Sequence, residues 1–424
     1  HTLASDGRLV ALNAPWSFWR LLGWEFTVED WESAAGEALG CLAGLPAAAC
    51  VGGWAEVAAS VLGEGQFGPG HWQLGASRRW YYAVRRLLPP SARGWLQRLA
   101  AARAGRGNLL RWPVEDRYVR FQFEAVRRLC ERRGLRSVPY IHFWPQGRRF
   151  AFVLTHDVET AQGLAYVRRV AGLEEQYGLR SSFNFVPEAY EVDQGLLGEL
   201  RRRGFEIGVH GLRHDGRLCS SPETFRKRAR SINGYLREWG AVGFRSPMTH
   251  RHPEWMQALE IEYDSSFFDT DPFEPIAGGT MSIWPFLVGR FVELPYTLVQ
   301  DHTLMRTLAQ ATPELWLRKV DFVAAHCGMA LVNTHPDYLS KPRCLALYER
   351  LLAEVSRRGD SWHALPAEVA RWWRRRLVAP AQWSDGRWRL GDLNGATVGR
   401  LSLADEAERR KGRPLLLEPS YYAV

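Results

Sequence analysis

The sequence predicts an α/β protein built on a parallel sheet closed or nearly closed into a distorted (β/α) barrel, with a Trp-rich helical N-terminal addition and a small C-terminal extension. Three observations predict it. From Phe150 onward, short apolar β-branched runs alternate with amphipathic stretches, the pattern of a β/α repeat. Before that point lie ten of the 19 tryptophans, in segments broken by Gly and Pro such as Pro89-Pro90 and the Gly105 to Gly107 turn. After residue 377, turn signals at Asp385-Gly386 and Asn394-Gly395 separate short alternating runs such as Trp388-Arg389-Leu390. The expected division is therefore 1–149, 150–377 and 378–424, the last a hairpin addition or a tail. A length of 424 residues allows two or three such units. With 46% hydrophobic and 24% charged residues, collagen-like, coiled-coil and disordered classes are excluded.

Within the central segment, Phe150 to Thr155, Ser182 to Val186 and Phe205 to Val209 read as strands, and Leu164 to Tyr177 and Leu196 to Arg203 as the helices between them. Pro222 opens a helix to about Trp239, in the first-turn position that suits proline. Further strands are expected at Val242 to Phe244, Phe291 to Leu294, Met329 to Asn333 and Trp362 to Leu365. The remaining helices are expected near Pro313 to His326, Cys344 to Arg358 and Pro366 to Arg376.

The formal charge is +9, and only Lys227, Lys319, Lys341 and Lys411 are lysines. Because the arginines are scattered rather than blocked into one arm, no nucleic-acid partner is expected. One basic and aromatic stretch, Arg78-Arg79-Trp80-Tyr81-Tyr82 to Arg85-Arg86-Leu87-Leu88, fits a peripheral membrane or protein contact. The favoured reading of it is a helix packing its aromatic side on the neighbouring domain, with the arginines outside. The six cysteines form no C-x-x-C pair, which points to reduced thiols in a cytoplasmic setting. No run of 18 apolar residues appears, so no transmembrane span is expected. The chain begins with His1, which fits a processed, truncated or tagged N-terminus.

Chemistry concentrates at the predicted strand ends. In Thr155-His156-Asp157-Val158-Glu159 the carboxylates two apart face the same way. The strand Phe205 to Val209 runs into His210-Gly-Leu-Arg-His214, two imidazoles at i and i+4 that one helical turn would bring together. Two neutral imidazoles and one carboxylate make a three-ligand site with an open position, the arrangement of catalytic zinc sites, and leave the second carboxylate free as a base. The alternative is two surface histidines on a polar helix. Arg245 and His335 end two further predicted strands, on the edge where β/α barrels assemble their sites.

These segments resemble the NodB-like polysaccharide deacetylases, carbohydrate esterase family 4, over about Phe150 to Arg376. The family's Asp-bearing strand end is matched by "LTHDVET", its metal-binding pair by "HGLRH", its Arg before Pro by "FRSP", and its late histidine by "LVNTHPDY". One departure stands out. The commoner family pattern has two adjacent aspartates, whereas here Val158 separates Asp157 from Glu159. The resemblance implies Asp157 as base, His335 as acid, Arg245 as the partner holding Asp157 ionised through a charge-assisted hydrogen bond, and Glu159, His210 and His214 as metal ligands. An exchange of the two carboxylate roles stays open.

The function so implied is metal-dependent hydrolysis of the N-acetyl amide of an amino sugar in a glycan or glycan precursor. Zinc is the expected cation, with cobalt, nickel or manganese able to occupy the same donors. The rivals are hydrolysis of a non-sugar amide or imide and a glycan-binding barrel without turnover. Nearby, Asp215 is a candidate partner for a ligand imidazole or a helix cap. Asp264, Asp269, Asp271 and Glu274 are candidates for a sugar contact or for tuning His335, against the alternative of a turn-forming loop. Asp301-His302, following "FVELPYTL", is a further candidate to reach the site, though the weaker of its two readings. His156 is expected to be structural, and His250, His252, His326 and His363 ordinary.

Overall fold

In a computed structural model of the chain, residues 9–46, 52–68, 70–72, 108–405 and 415–422 are described. The basic and aromatic stretch at residues 78–88 lies outside them, as does Cys50. The strands are β1 Ser137–Ile141, β2 Phe150–Val158, β3 Ser182–Phe185, β4 Glu206–His210, β5 Gly243–Arg245, β6 Tyr263–Asp264, β7 Phe286–Val288 and β8 Phe291–Glu293, followed by β9 Met329–Thr334, β10 Ser361–His363, β11 Gln382–Ser384, β12 Arg387–Arg389, β13 Val398–Leu403 and β14 Leu415–Tyr422.

The central sheet curls around β2, all nine of whose residues are buried. Strand β9 pairs in parallel with residues 151–156 along one flank of β2. Strand β10 pairs with residues 150–152 and β3 with residues 155–158, so these two share the other flank end to end. From β3 the parallel order continues through β4, β5, β6 and β8, and β7 adds an antiparallel edge. The result is a half-barrel. Its open side is crossed by hydrogen bonds from the Thr297 and Leu298 amides to the Leu331 carbonyl on β9, at 3.1 and 3.0 Å.

Helices return the chain between strands, and their ends are encoded locally. Thr160 caps the helix Ala161–Gln176 by accepting from the Gly163 amide. Asp193 caps Gln194–Arg202, and Ser221 caps Pro222–Glu238 with proline in the first turn. Each such cap contributes about 1 kcal/mol and fixes where the preceding loop must end. Further helices occupy Glu314–Ala325, Pro342–Arg358 and Pro366–Val378.

The flanking segments depart from expectation. The region before residue 150 contains helices Pro15–Trp19, Val28–Ala38, Trp54–Val61 and the 16-residue Arg117–Arg132, but it also contains strand β1. That strand pairs antiparallel with β13, which pairs in turn with β14. Val138 and Pro139 gave β1 too little alternation to be read as a strand. Beyond the barrel, β11 and β12 form a hairpin whose turn, Asp385-Gly386, has positive φ at both residues (53° and 74°). Asp and Gly tolerate that conformation.

Arg376 on the last helix ties these layers together. Its guanidinium is fully buried and donates to the carbonyls of His142, Phe18 and Ile141 at 2.9, 2.7 and 2.8 Å, above the ring of Phe143. Burial pulls its pKa down to about 9. The cysteines Cys41, Cys130, Cys219, Cys327 and Cys344 are free thiols. Among the described residues, no helix is long and apolar enough to cross a membrane. Replacing Arg376 with Met leaves three buried carbonyls without donors and is expected to cost at least about 3 kcal/mol. A urea-unfolding midpoint unchanged from wild type would contradict this account of how the N-terminal helices are held.

Candidate active site

The C-terminal ends of β2, β4, β5 and β9 converge on one cavity of about 150 Å³. Asp157, Glu159, His210, His214, Arg245 and His335 all line it. All six residues singled out in the sequence are thus brought together.

His210 is the last residue of β4 and faces inward with 1% exposure. The parallel pairing of β4 with β5 sets it beside Arg245, whose backbone carbonyl lies 3.1 Å from His210 Nδ1. A carbonyl can only accept, so Nδ1 carries the proton and Nε2 keeps its lone pair. That Nε2 is buried without a hydrogen-bond partner. His214 does not sit on a helix with His210, as the i,i+4 spacing predicted; residues 212–216 form a bend that follows Gly211. Gly211 makes the bend possible, with φ of +65° and Pro247 so close that a Cβ there would fall 2.5 Å from its Cγ. The imidazole centroids end 5.4 Å apart.

Glu159 completes the group just past β2. Its Oε1 lies 2.9 Å from His214 Nε2 and 3.7 Å from His210 Nε2. Ligand-type atoms of Glu159, His210 and His214 all fall within 4.8 Å of one another. Two imidazole nitrogens and one carboxylate oxygen, one nitrogen buried and without a partner, are a donor set that fits a divalent cation such as zinc. Although burial opposes ionisation, His214 and the other imidazoles hold the Glu159 carboxyl well below its ordinary range. His214 is raised in return by Glu159, against the effect of burial.

Asp157 occupies a different niche. The residue is 3% exposed, and each side-chain oxygen accepts an amide hydrogen: Oδ1 from Asn184 Nδ2 at 3.0 Å and Oδ2 from Asn333 Nδ2 at 2.7 Å. Burial works to raise its pKa, but His210, Arg245 and His335 together bring it below the usual carboxylate value. Arg245 does so across 3.5 Å from its Nε, without the expected hydrogen bond; its Nη2 donates instead to Thr155 Oγ1 at 3.0 Å. The remaining Arg245 Nε and Nη1 donors are buried and have no hydrogen-bond partner.

His335 follows β9. Asp301 grips it twice, accepting from the His335 backbone N–H and pairing with Nδ1, both at 2.7 Å. Burial alone would lower this imidazole, yet Asp301 and Glu159 raise its pKa well above the ordinary value. Its other nitrogen, Nε2, is 3.6 Å from Glu159 Oε1.

No family model and no curated protein matches the chain. Among solved structures it is similar to a Mycobacterium smegmatis protein assigned as a polysaccharide deacetylase, with 22% identity over 57% of this chain and 96% of that one and a TM-score of 0.46. A Pseudomonas aeruginosa PAO1 protein assigned in the same way shares 16% identity over 55% and 94% of the two chains, at a TM-score of 0.47. Puue allantoinase shares 15% identity over 54% and 92%, at 0.46. What the site does is argued below from its own residues.

Several neighbouring expectations are corrected. Asp215 pairs with Arg228 through both oxygens at 2.7 Å and accepts from the Arg217 amide, so it attends neither His210 nor His214. Asp264 bonds Ser266, Asp269 pairs with Lys319, and Asp271 accepts from the Phe273 amide. Glu274 does line the cavity, accepting from Thr249, Tyr296 and Gln300, but Asp301 is the group that tunes His335. His302 lines the cavity too. His156 is buried between Thr334 and Glu174 and stacks on Phe183, a structural role. Asn184 and Asn333 were missed, although a lone asparagine in an otherwise apolar strand, as in Met329–Thr334, is a signal that could have found the second.

If Asp301 is what keeps His335 protonated, then Asp301→Asn removes the negative charge that favours the imidazolium and the titration midpoint must fall. A drop of at least about one unit is expected by NMR of the His335 ring in the metal-free protein. A midpoint unchanged from wild type would rule the pairing out as the cause.

Proposed function

We propose that the chain is a metal-dependent hydrolase that removes the N-acetyl group of an amino sugar in a glycan or glycan precursor. The observation carrying this reading is the segregation within one cavity of a Glu-His-His donor set from a separately anchored carboxylate and a separately tuned imidazole. Glu159, His210 and His214 would hold the cation. When bound, a divalent cation of this kind lowers the pKa of water and polarises a carbonyl oxygen.

The remaining residues would divide the proton work. An amide is a weak electrophile with a poor leaving group, so its hydrolysis needs a base at the attacking water and an acid at the departing nitrogen. Asp157, ionised and with both oxygens fixed by Asn184 and Asn333, would take the water proton. His335, kept in its acid form by Asp301, would donate from Nε2 to the amine. Arg245 holds Asp157 anionic by its charge and offers two unpartnered N–H groups in the cavity wall. Asp157 as base and Glu159 as ligand is the assignment supported by their surroundings: Glu159 Oε1 is 2.9 Å from a ligand nitrogen, whereas both Asp157 oxygens are already engaged by amides.

Assay and metal analysis together test the proposal. Wild type should hold one divalent ion per chain and release amine from N-acetylated oligosaccharides. Asp157→Asn should keep the ion and lose at least about a thousandfold in kcat. His210→Ala should lose both ion and activity. Full activity after exhaustive chelation would overturn the proposal. Ring opening of allantoin or another cyclic amide, with no amine release from acetylated sugars, would favour the non-sugar rival. Sugar binding without turnover would favour the inactive barrel.

A further inference from the structure

One part of the cavity wall is not used by the chemistry above. Tyr338 stands on the short helix Pro336–Leu339, with its ring centroid 5.3 Å from that of His335 and 6.3 Å from that of His302. Two cations lie over this ring: the Arg306 guanidinium carbon at 5.4 Å and Lys341 Nζ at 5.8 Å from its centroid. They arrive from different elements, Arg306 from the turn Thr303–Thr307 and Lys341 from the N-cap position of the helix Pro342–Arg358.

Both cations are exposed. Among the described residues neither is within ion-pair distance of a carboxylate, in contrast to surface arginines such as Arg168, Arg203 and Arg371, which pair with Glu199, Glu175 and Glu262. The sequence neighbour Asp337 does not serve, because its Oδ1 is turned inward, buried and unpartnered. The helix beginning at Pro342 adds the positive end of its dipole at the same place, with no side-chain cap and no acidic residue in its first turn. Tyr338 does more than line the wall. Its ring lines the cavity, and by attracting both cations it biases two long side chains towards a residue of the cavity wall.

We infer that Arg306 and Lys341, held on Tyr338, form a subsite for an anionic group of the substrate, a carboxylate or phosphate attached to or beside the acetylated sugar. The substrate class is then an acidic glycan or a phosphorylated amino sugar. This deepens the deacetylase reading and rests on it for the site's occupant, but not for the subsite's charge preference, which binding alone reveals.

The test is calorimetric binding of three probes to the full chain: the neutral tetramer of N-acetylglucosamine, a tetrasaccharide alternating N-acetylglucosamine with glucuronate, and N-acetylglucosamine 1-phosphate. Amine release is followed in parallel. One or both anionic probes should bind about tenfold more tightly than the neutral one at low salt, two exposed charge contacts being worth roughly that factor. The preference should shrink at about 0.3 M salt. It should fall to near unity in Arg306→Gln/Lys341→Gln and persist in the charge-keeping Arg306→Lys. Which anionic probe gains identifies a uronate or a phosphate as the source. Equal binding of all three by wild type, or a preference that survives in the double glutamine variant, overturns the inference even if the enzyme is active. A charge preference without amine release from any probe leaves the subsite standing and counts against the deacetylase reading.

Discussion

The site depends on one backbone hydrogen bond, between Nδ1 of His210 and the Arg245 carbonyl. It is a product of strand register: His210 and Arg245 are partners across the parallel pair of β4 and β5. Because a carbonyl accepts and cannot donate, this contact decides which nitrogen of the ring is protonated and therefore which one faces the cavity with a lone pair. Asp215 was one candidate partner for an imidazole of the pair, and the fold supplies His210 with a peptide carbonyl instead. The bend at Gly211 then brings His214 round to the same point, and Glu159 meets both from the end of β2.

Around that centre, the protein pushes two proton-handling groups in opposite directions. Asp157 is lowered by His210, Arg245 and His335 despite its burial, and His335 is raised by Asp301 despite its own. On the proposed reading these opposite shifts suit the carboxyl to act as base and the imidazole as acid, the separation that acid–base chemistry on one bond requires. On the proposed reading, the cavity also sorts its carboxylates by geometry. Asp157 is committed to amides on both oxygens, whereas Glu159 sits nearest the two imidazoles.

Much of this was legible in the sequence because strong periodic signals coincided with burial. Strand β2 reads as a strand since all its residues are enclosed, and the helices from Ala161 to Val378 read as helices since their caps and apolar faces agree. The six residues of the site were found because spacing along strands and the edge rule for barrels place them on one rim. Other features had no such signal. Strands β6 and β7 have two and three residues, too few to show alternation. Asn184 and Asn333 act from neighbouring strands, 27 and 176 positions from Asp157, and Asp301 is 34 positions from His335. No local pattern encodes such pairings. The His210–His214 spacing pointed to two imidazoles that do converge, but a glycine bend rather than a helical turn unites them.

On the proposed reading, a single cation is held by Glu159, His210 and His214. Anomalous diffraction from crystals grown with zinc tests it most directly. The account predicts one strong peak about 2.0–2.2 Å from His210 Nε2, His214 Nε2 and a Glu159 carboxylate oxygen. A peak coordinated by Asp157 in place of Glu159, or density at this cavity that shows no metal while zinc occupies another site, would contradict it.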